Sequence, residues 1–335
     1  MLETNNIKNI DSTVYHNVED LFTVVGASDE EIEKLNAAPY SYWRETLKQL
    51  FKRPLTIICL AMIVILIFFT IFGPMMTNYS MITDEAKGLV KSEFEPNLPW
   101  SAEHFFGTGG TLSNSYFDKV DLWTAVWVGT RLSLLLGTVV ALIDTVLGIL
   151  MGSIWGYFRK LDPIMIEFRN FVNNVPSILL YFLLMQFLNP SFWTIVLVLC
   201  MFGWLGLAGF IRNQIIIIRN REYNVASLTL GSSPRAMITH NLLPYLVSVI
   251  VTVVSTAIPA AISSEVGLAF FGLSFSPSNG DITLGQLLTA VTSAGEWIDH
   301  PNLLVVPLIV MVPLTISFYI VGLTLADATD PKNHR

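Results

Sequence analysis

Long apolar runs separated by polar stretches set the rhythm of the chain. Residues 55–83 hold no charged side chain. At about 1.5 Å per residue, such a run is more than enough to cross a bilayer core of roughly 30 Å. Further apolar runs cover about 123–157, 163–188, 192–218, 245–275 and 301–326. The pattern predicts an all-α polytopic membrane protein with six transmembrane helices. Its expected organisation is a tail over 1–54, a first span over 55–83, a polar segment over 84–121 and a core of five spans over 122–326, with a short tail over 327–335. Within the first tail, 43–51 predicts an amphipathic helix at the membrane surface; the first 30 or so residues are expected to be disordered.

Charge gives these spans a direction. Lys48, Lys52 and Arg53 precede the first span, which places the N-terminus in the cytoplasm by the positive-inside rule. Residues 84–121 then carry seven acids against three lysines, and 276–300 carry Asp281, Glu296 and Asp299 with no Lys or Arg, as expected outside. Arg159, Lys160, Arg219, Arg221 and Arg235 fall in the inner loops, so six spans with both termini cytoplasmic satisfy every loop.

Composition narrows the class. Of 335 residues, 53% are hydrophobic and 13% charged, about half the charge of a soluble domain. The net charge of −7 is concentrated in particular segments, and no basic patch supports nucleic-acid binding. Cys59 and Cys200 both lie in apolar runs, which argues against a disulfide framework or a metal site. A polar tail precedes the first apolar run, so no cleavable signal is expected.

Between the fourth and fifth spans, 219–244 is polar enough to sit in water. Tyr223, Ala226, Ser227 and Leu230 recur at helical spacing and form a small, mildly apolar stripe. Gly231 suits the left-handed position past a helix end. Ser233 can cap a second helix with Pro234 in its first turn, and Pro244 closes it. Such a pair is a good knob for a groove on a partner protein.

The same segment resembles the cytoplasmic loop of permease subunits of bacterial ATP-binding-cassette importers, whose peptide branch runs R-E-Y-x-E-A-A-x-x-L-G. Arg221, Glu222, Tyr223, Ala226, Leu230, Gly231, Leu243 and Pro244 match, with the same thirteen-residue step from Gly to Pro. Val225 and Ser227 depart from the E-A-A core. Collinear likenesses extend from about 100 to 331: His104-Phe105-Phe106-Gly107-Thr108, Arg131-Leu132-Ser133-Leu134, Val175-Pro176-Ser177, Ser264-Glu265 and Leu325-Ala326-Asp327-Ala328. The family's D-x-x-G-R-D after H-x-[FL]-G-T is replaced by the Gly-, Ser- and Asn-rich run 109–115.

The likeness is nearest to the C-type subunit of oligopeptide and dipeptide permeases. It implies a type I ABC importer permease-like fold in the bacterial plasma membrane. It also implies a homologous second permease, two cytoplasmic ATPases and an extracytoplasmic peptide-binding protein as partners. The loop residues Arg221, Glu222, Tyr223, Ala226, Ser227, Leu230, Gly231, Leu243 and Pro244 would couple transport to the ATPases. No G-x-x-x-x-G-K-[ST] occurs, so ATP and its Mg are expected on the partner subunits and no cofactor on this chain.

Asp144 and Glu265 are acids inside apolar spans, where ionised groups are costly and face protein or water. With Arg131 as a partner for either, they are candidates for a substrate path. Gly148, Gly152 and Gly156 recur every four residues, as in close helix packing, and the same face is open to a second permease chain. The five histidines lack metal spacing and no serine has a nucleophile's setting, so the chain is not expected to be an enzyme. Two alternatives remain at this point: a self-contained secondary transporter, which would show internal repeats, and an ABC permease for nickel or another non-peptide solute.

Overall fold

The computed structural model describes residues 42–77, 99–109, 121–189, 191–274 and 282–329. The expectations for most of the two tails, for the 84–98 part of the polar segment and for the 110–115 run lie outside the described residues. The fold is all-helical. Among the described residues, five helices are long and apolar enough to cross a membrane: Pro54–Met75, Leu122–Tyr157, Phe192–Arg219, Val253–Phe270 and Asn302–Thr329.

Helix α1 (Tyr42–Lys52) leads to α2 (Pro54–Phe72), whose Pro54 sits at the first turn, where no N–H is needed. α2 is apolar all round, yet only Thr56, Cys59, Ile63, Leu66 and Thr70 are buried, a stripe at alternating steps of three and four. That stripe meets α11 (Asn302–Thr329). Thr56 Oγ1 donates to Thr324 Oγ1 at 3.0 Å. Arg53 pairs with Asp327 at 2.9 Å, both exposed, so the ion pair adds little stability. The start of α2 thus lies beside the end of α11, and the two run antiparallel.

The far end of α2 meets the start of α3 (Leu122–Tyr157) through aromatic rings: Phe69 stacks on Trp127 at 5.1 Å and meets Trp123 edge-on at 5.6 Å. Trp123 Nε1 donates to the Gly73 carbonyl at 2.8 Å. Asp121 caps α3 by accepting from Thr124 N at 3.0 Å, and its other oxygen meets His104 Nδ1 at 3.1 Å. The His104–Thr108 motif is therefore pinned to the α3 N-terminus, with Gly107 at φ 84°.

Among the described helices, α3 and α6 (Phe192–Arg219) share the most extensive contact. A β-carbon on Gly148 would meet Leu207, one on Gly152 would lie 2.6 Å from the Ala208 carbonyl oxygen, and one on Gly156 would lie 2.9 Å from Ile215. The contacts advance together along both helices, so α3 and α6 are parallel. Since α6 occupies this glycine face, the face is not available to a second permease chain. Gly152→Ala is expected to cost about 1–3 kcal/mol by overpacking against backbone. Gly148→Ala meets Leu207, whose Cδ2 and Cγ can turn away but whose Cβ, at 2.8 Å, is fixed to the backbone, and is expected to cost somewhat less than Gly152→Ala, where the nearest atom is a backbone oxygen. Thermal melts of the two detergent-solubilised variants order them, and equal melts would remove the distinction.

Two elements differ from the sequence expectation. The third span, expected over 163–188, is split into α4 (Asp162–Asn174) and α5 (Ser177–Phe187), with Val175 extended at φ −97° and ψ 128°. Pro176 is the cause: it lacks an N–H and drives the preceding residue out of the helical region. At 1.5 Å per residue, α5 alone is about 16 Å long, short of a bilayer core. The second difference lies within 276–300, read as a polar outer loop. It contains α10 (Leu284–Ala294), whose Leu284, Leu287, Leu288 and Val291 are buried. Thr283 and Gln286 form a reciprocal capping box at its start, and Gly295, at φ 73°, ends it.

Candidate coupling loop and intramembrane acids

The segment after α6 folds as α7 (Glu222–Thr229), a turn, α8 (Pro234–Ala236), a wide π-helical turn Met237–Leu242 and a 3-10 turn Pro244–Leu246 leading into α9 (Val247–Phe270). Gly231 at φ 88° makes the break; Gly231 N donates to the Leu228 carbonyl at 3.0 Å and Ser232 N to that of Ser227 at 3.1 Å, which satisfies the free carbonyls of α7. Ser233 Oγ accepts from Ala236 N at 3.3 Å. Pro244 opens the 3-10 turn rather than ending a regular second helix, because the preceding π turn has already widened the backbone.

One face of this segment is buried and the other is not. Met237, Leu242 and Leu246 pack with Ile211, Ile215 and Ile218 of α6. Tyr223 is 52%, Val225 48% and Leu230 87% exposed, and Ala226, Arg221 and Glu222 are exposed with them. Ser227 and Leu243 are half-buried and Pro244 is exposed. Exposed apolar side chains thus cover the solvent side of a short helix whose C-terminal carbonyls are satisfied but whose N-cap, Arg221, makes no side-chain capping bond. Val225, standing where the family pattern has Glu, makes that face more apolar.

Side chains that the sequence reading passed over hold the segment in place. Asn224 is fully buried; its Nδ2 donates to the Ile218 carbonyl at 2.9 Å and its Oδ1 accepts from Asn241 Nδ2 at 3.3 Å, tying the two halves together. Arg219, counted above as a loop charge, is buried and donates to the Gly156 and Tyr157 carbonyls at 3.0 and 2.6 Å. It thereby caps the C-terminus of α3, where a cation is favoured by the helix dipole. Arg212 binds Asp162 through two nitrogens at 2.8 and 2.6 Å, and Trp155 Nε1 donates to the same carboxylate at 2.9 Å. The Arg212 guanidinium holds the Asp162 carboxyl below the usual carboxylate range. Neither arginine has a local sequence signature for its role, since its acceptors lie about 50 to 60 residues away.

The three charged residues expected on a substrate path have different settings. Glu265 on α9 is 1% exposed: Oε1 accepts from Thr283 Oγ1 at 2.5 Å and Oε2 from Ser133 Oγ at 3.3 Å. Ser133 Oγ in turn accepts from Leu284 N at 3.0 Å, so this network fixes the start of α10 against α3 and α9. Arg131 is exposed on α3 and, among the described residues, pairs with neither acid. Asp144 lines a cavity of about 290 Å³ bounded by α3, α5, α6 and α9, with Tyr181, Gly203, Thr256 and Ser264 among its walls. Among the described residues, no group of three or more His, Cys, Asp or Glu could hold a metal ion.

Comparison with known proteins bears on the whole chain. Residues 144–335 match the family of binding-protein-dependent transport system inner membrane components, and 41–92 match the N-terminal transmembrane domain of oligopeptide transport permease C. The chain is 34% identical to the oligopeptide transport system permease protein AmiD of Streptococcus pneumoniae, over 95% of this chain and 98% of that one. It is 30% identical to the dipeptide transport system permease protein DppC of Bacillus subtilis, over 95% and 94%. To the oligopeptide transport system permease protein OppC of the same organism it is 28% identical, over 94% and 97%. With helices of spanning length and relatives matched end to end, the chain belongs to the family of binding-protein-dependent transport system inner membrane components, multi-pass permeases of the bacterial cytoplasmic membrane.

Proposed function

We propose that this chain is one permease subunit of an ATP-driven importer of oligopeptides or dipeptides, and that 219–244 is the element that couples it to separate ATPases. The observation that carries this reading is the exposed apolar face of α7, presented at the end of α6 on a segment that its other face anchors to the membrane core. A folded helix that leaves Tyr223, Val225 and Leu230 in solvent is suited to a groove on a cytoplasmic partner. The chain is a wall and a lever. ATP and Mg belong to two ATPase subunits; a homologous second permease completes the path, and an extracytoplasmic peptide-binding protein delivers the substrate.

Six crossings with both termini in the cytoplasm fit this reading. The parallel packing of α3 and α6 supports a return crossing between them, which the α4–α5 pair would make. Antiparallel α2 and α11 bring the start of the first crossing and the end of the last to one side. The aromatic contact between the end of α2 and the start of α3 makes that the side of the coupling loop. ATPase closure would move the loop, and the spans would shift between two global arrangements with no chemical step on this chain.

The test is purification of the tagged chain from its native membrane in mild detergent, with mass spectrometry of what stays bound. A second permease, ATPase subunits and a binding protein are expected. Recovery of the chain alone, under conditions that keep a known importer intact, would overturn the reading.

A further inference from the structure

Within the described membrane core, Asp144 stands out as a charged side chain whose chemistry is incomplete. Its Oδ1 is buried and has no hydrogen-bond partner, and none of the ion pairs among the described residues includes it. On its other side the carboxylate presses on α6 at Gly203, where a β-carbon would collide with Oδ2. The Cys200 thiol, a weak donor, is its other polar neighbour. A buried acceptor left unpaired costs free energy. The residue also lines the cavity of about 290 Å³, near the lower end of the size range of small-ligand sites.

Depth and surroundings define what fits. Asp144 lies 22 residues into α3 and 13 from its end, which at 1.5 Å per residue puts it well away from either surface. Around it, small or hydroxylated side chains (Ala141, Thr145, Ser264) are mixed with larger apolar ones (Leu199, Leu207, Val253). One carboxylate without further acidic or imidazole ligands cannot hold a divalent metal ion, which needs several. It can neutralise one small cation that also donates hydrogen bonds, with the hydroxyls taking the remaining donors.

We propose that the Asp144 cavity binds a primary ammonium group of the passing solute. This rests on the peptide-importer reading, since every unmodified peptide that does not begin with proline carries such a group at its N-terminus, whatever its other side chains. A site that reads only this feature would hold diverse peptides in transit without selecting among their sequences.

The experiment uses the complete importer in proteoliposomes, with its binding protein outside and ATP inside. Uptake is measured for a lysine-free peptide with a free N-terminus, for its N-acetylated form, and for an N-acetylated peptide with one lysine. Each rate is normalised to binding-protein occupancy, which removes that protein's own preference. Asp144→Asn is expected to lower uptake of the free-amine peptide about tenfold, the scale of one lost charge-assisted hydrogen bond, and to leave the lysine-free acetylated peptide at the wild-type rate. Gly203→Ala, which displaces the carboxylate without removing it, is expected to show the same selectivity. If the lysine peptide loses uptake as well, the site takes any primary ammonium; if it does not, the α-amino group alone. Equal losses for all three peptides, or none, would overturn the proposal. Wild-type vesicles that import no peptide would instead remove the peptide reading, and this inference with it.

Discussion

Replacing Gly231 by proline is expected to abolish transport and weaken ATPase association while the chain still inserts in the membrane. Gly231 adopts φ 88°, and a β-carbon there would meet nothing within 4 Å. Sterics with neighbours are therefore irrelevant, and the cost is entirely in the backbone. Alanine would pay about 1–2 kcal/mol for the left-handed conformation. Proline, locked near φ −65°, cannot adopt it and also removes the N–H that bonds Leu228. Asparagine, which tolerates this region better than other side chains, is expected to retain most transport.

The second half of the test separates docking from folding. Ala226 is exposed on α7, so Ala226→Glu should leave the fold intact and act only on a partner. Transport and co-purification of the ATPases should fall together, by roughly tenfold or more if the site is a buried contact in the complex. Insertion is checked by membrane fractionation and transport by peptide uptake. Transport that survives both substitutions would show that coupling runs through another surface.

Glu265→Leu is expected to be the most destabilising single change among the acids. It removes the shared acceptor of Thr283 and Ser133, leaving two buried hydroxyl donors unpaired at about 1–3 kcal/mol each. The loss should be local in origin. The start of α10 rests on this network, and Gly285 approaches so closely that a β-carbon would lie 2.8 Å from Val266 Cα. Hydrogen exchange at 284–294 should accelerate together with a drop in melting temperature in detergent. Glu265→Gln keeps one acceptor oxygen and is expected to fall between the wild type and Glu265→Leu. Unchanged exchange in α10 would mean that the helix is held by its buried leucines and that Glu265 serves another purpose.

Helices α2, α3, α6, α9 and α11 were legible in the sequence because each is a long run of apolar residues, and a run of that length has no stable alternative in a membrane. The coupling segment was legible for a different reason: Gly231, Ser233 and Pro234 are local instructions to the backbone, read without knowing what lies nearby. The split third span and α10 were open to the same reading. Pro176 and the Thr283–Gln286 capping box are signals of equal quality, but mean hydropathy and acidic content hid them.

What only the tertiary structure decided is which charges are engaged and by what. Asp144 and Glu265 are the same kind of residue in the same kind of run, yet Glu265 has both oxygens bound, while Asp144 has an oxygen without a hydrogen-bond partner and lines a cavity. Arg219 looked like a loop charge and is a helix cap. Such outcomes depend on hydrogen bonds between residues far apart in the chain, and on how α3, α6 and α9 are rotated against each other. A one-dimensional pattern carries the period of a helix and the chemistry of its turns. It does not carry the angle at which its neighbour arrives, and that angle determines whether a buried carboxylate is a brace or a binding group.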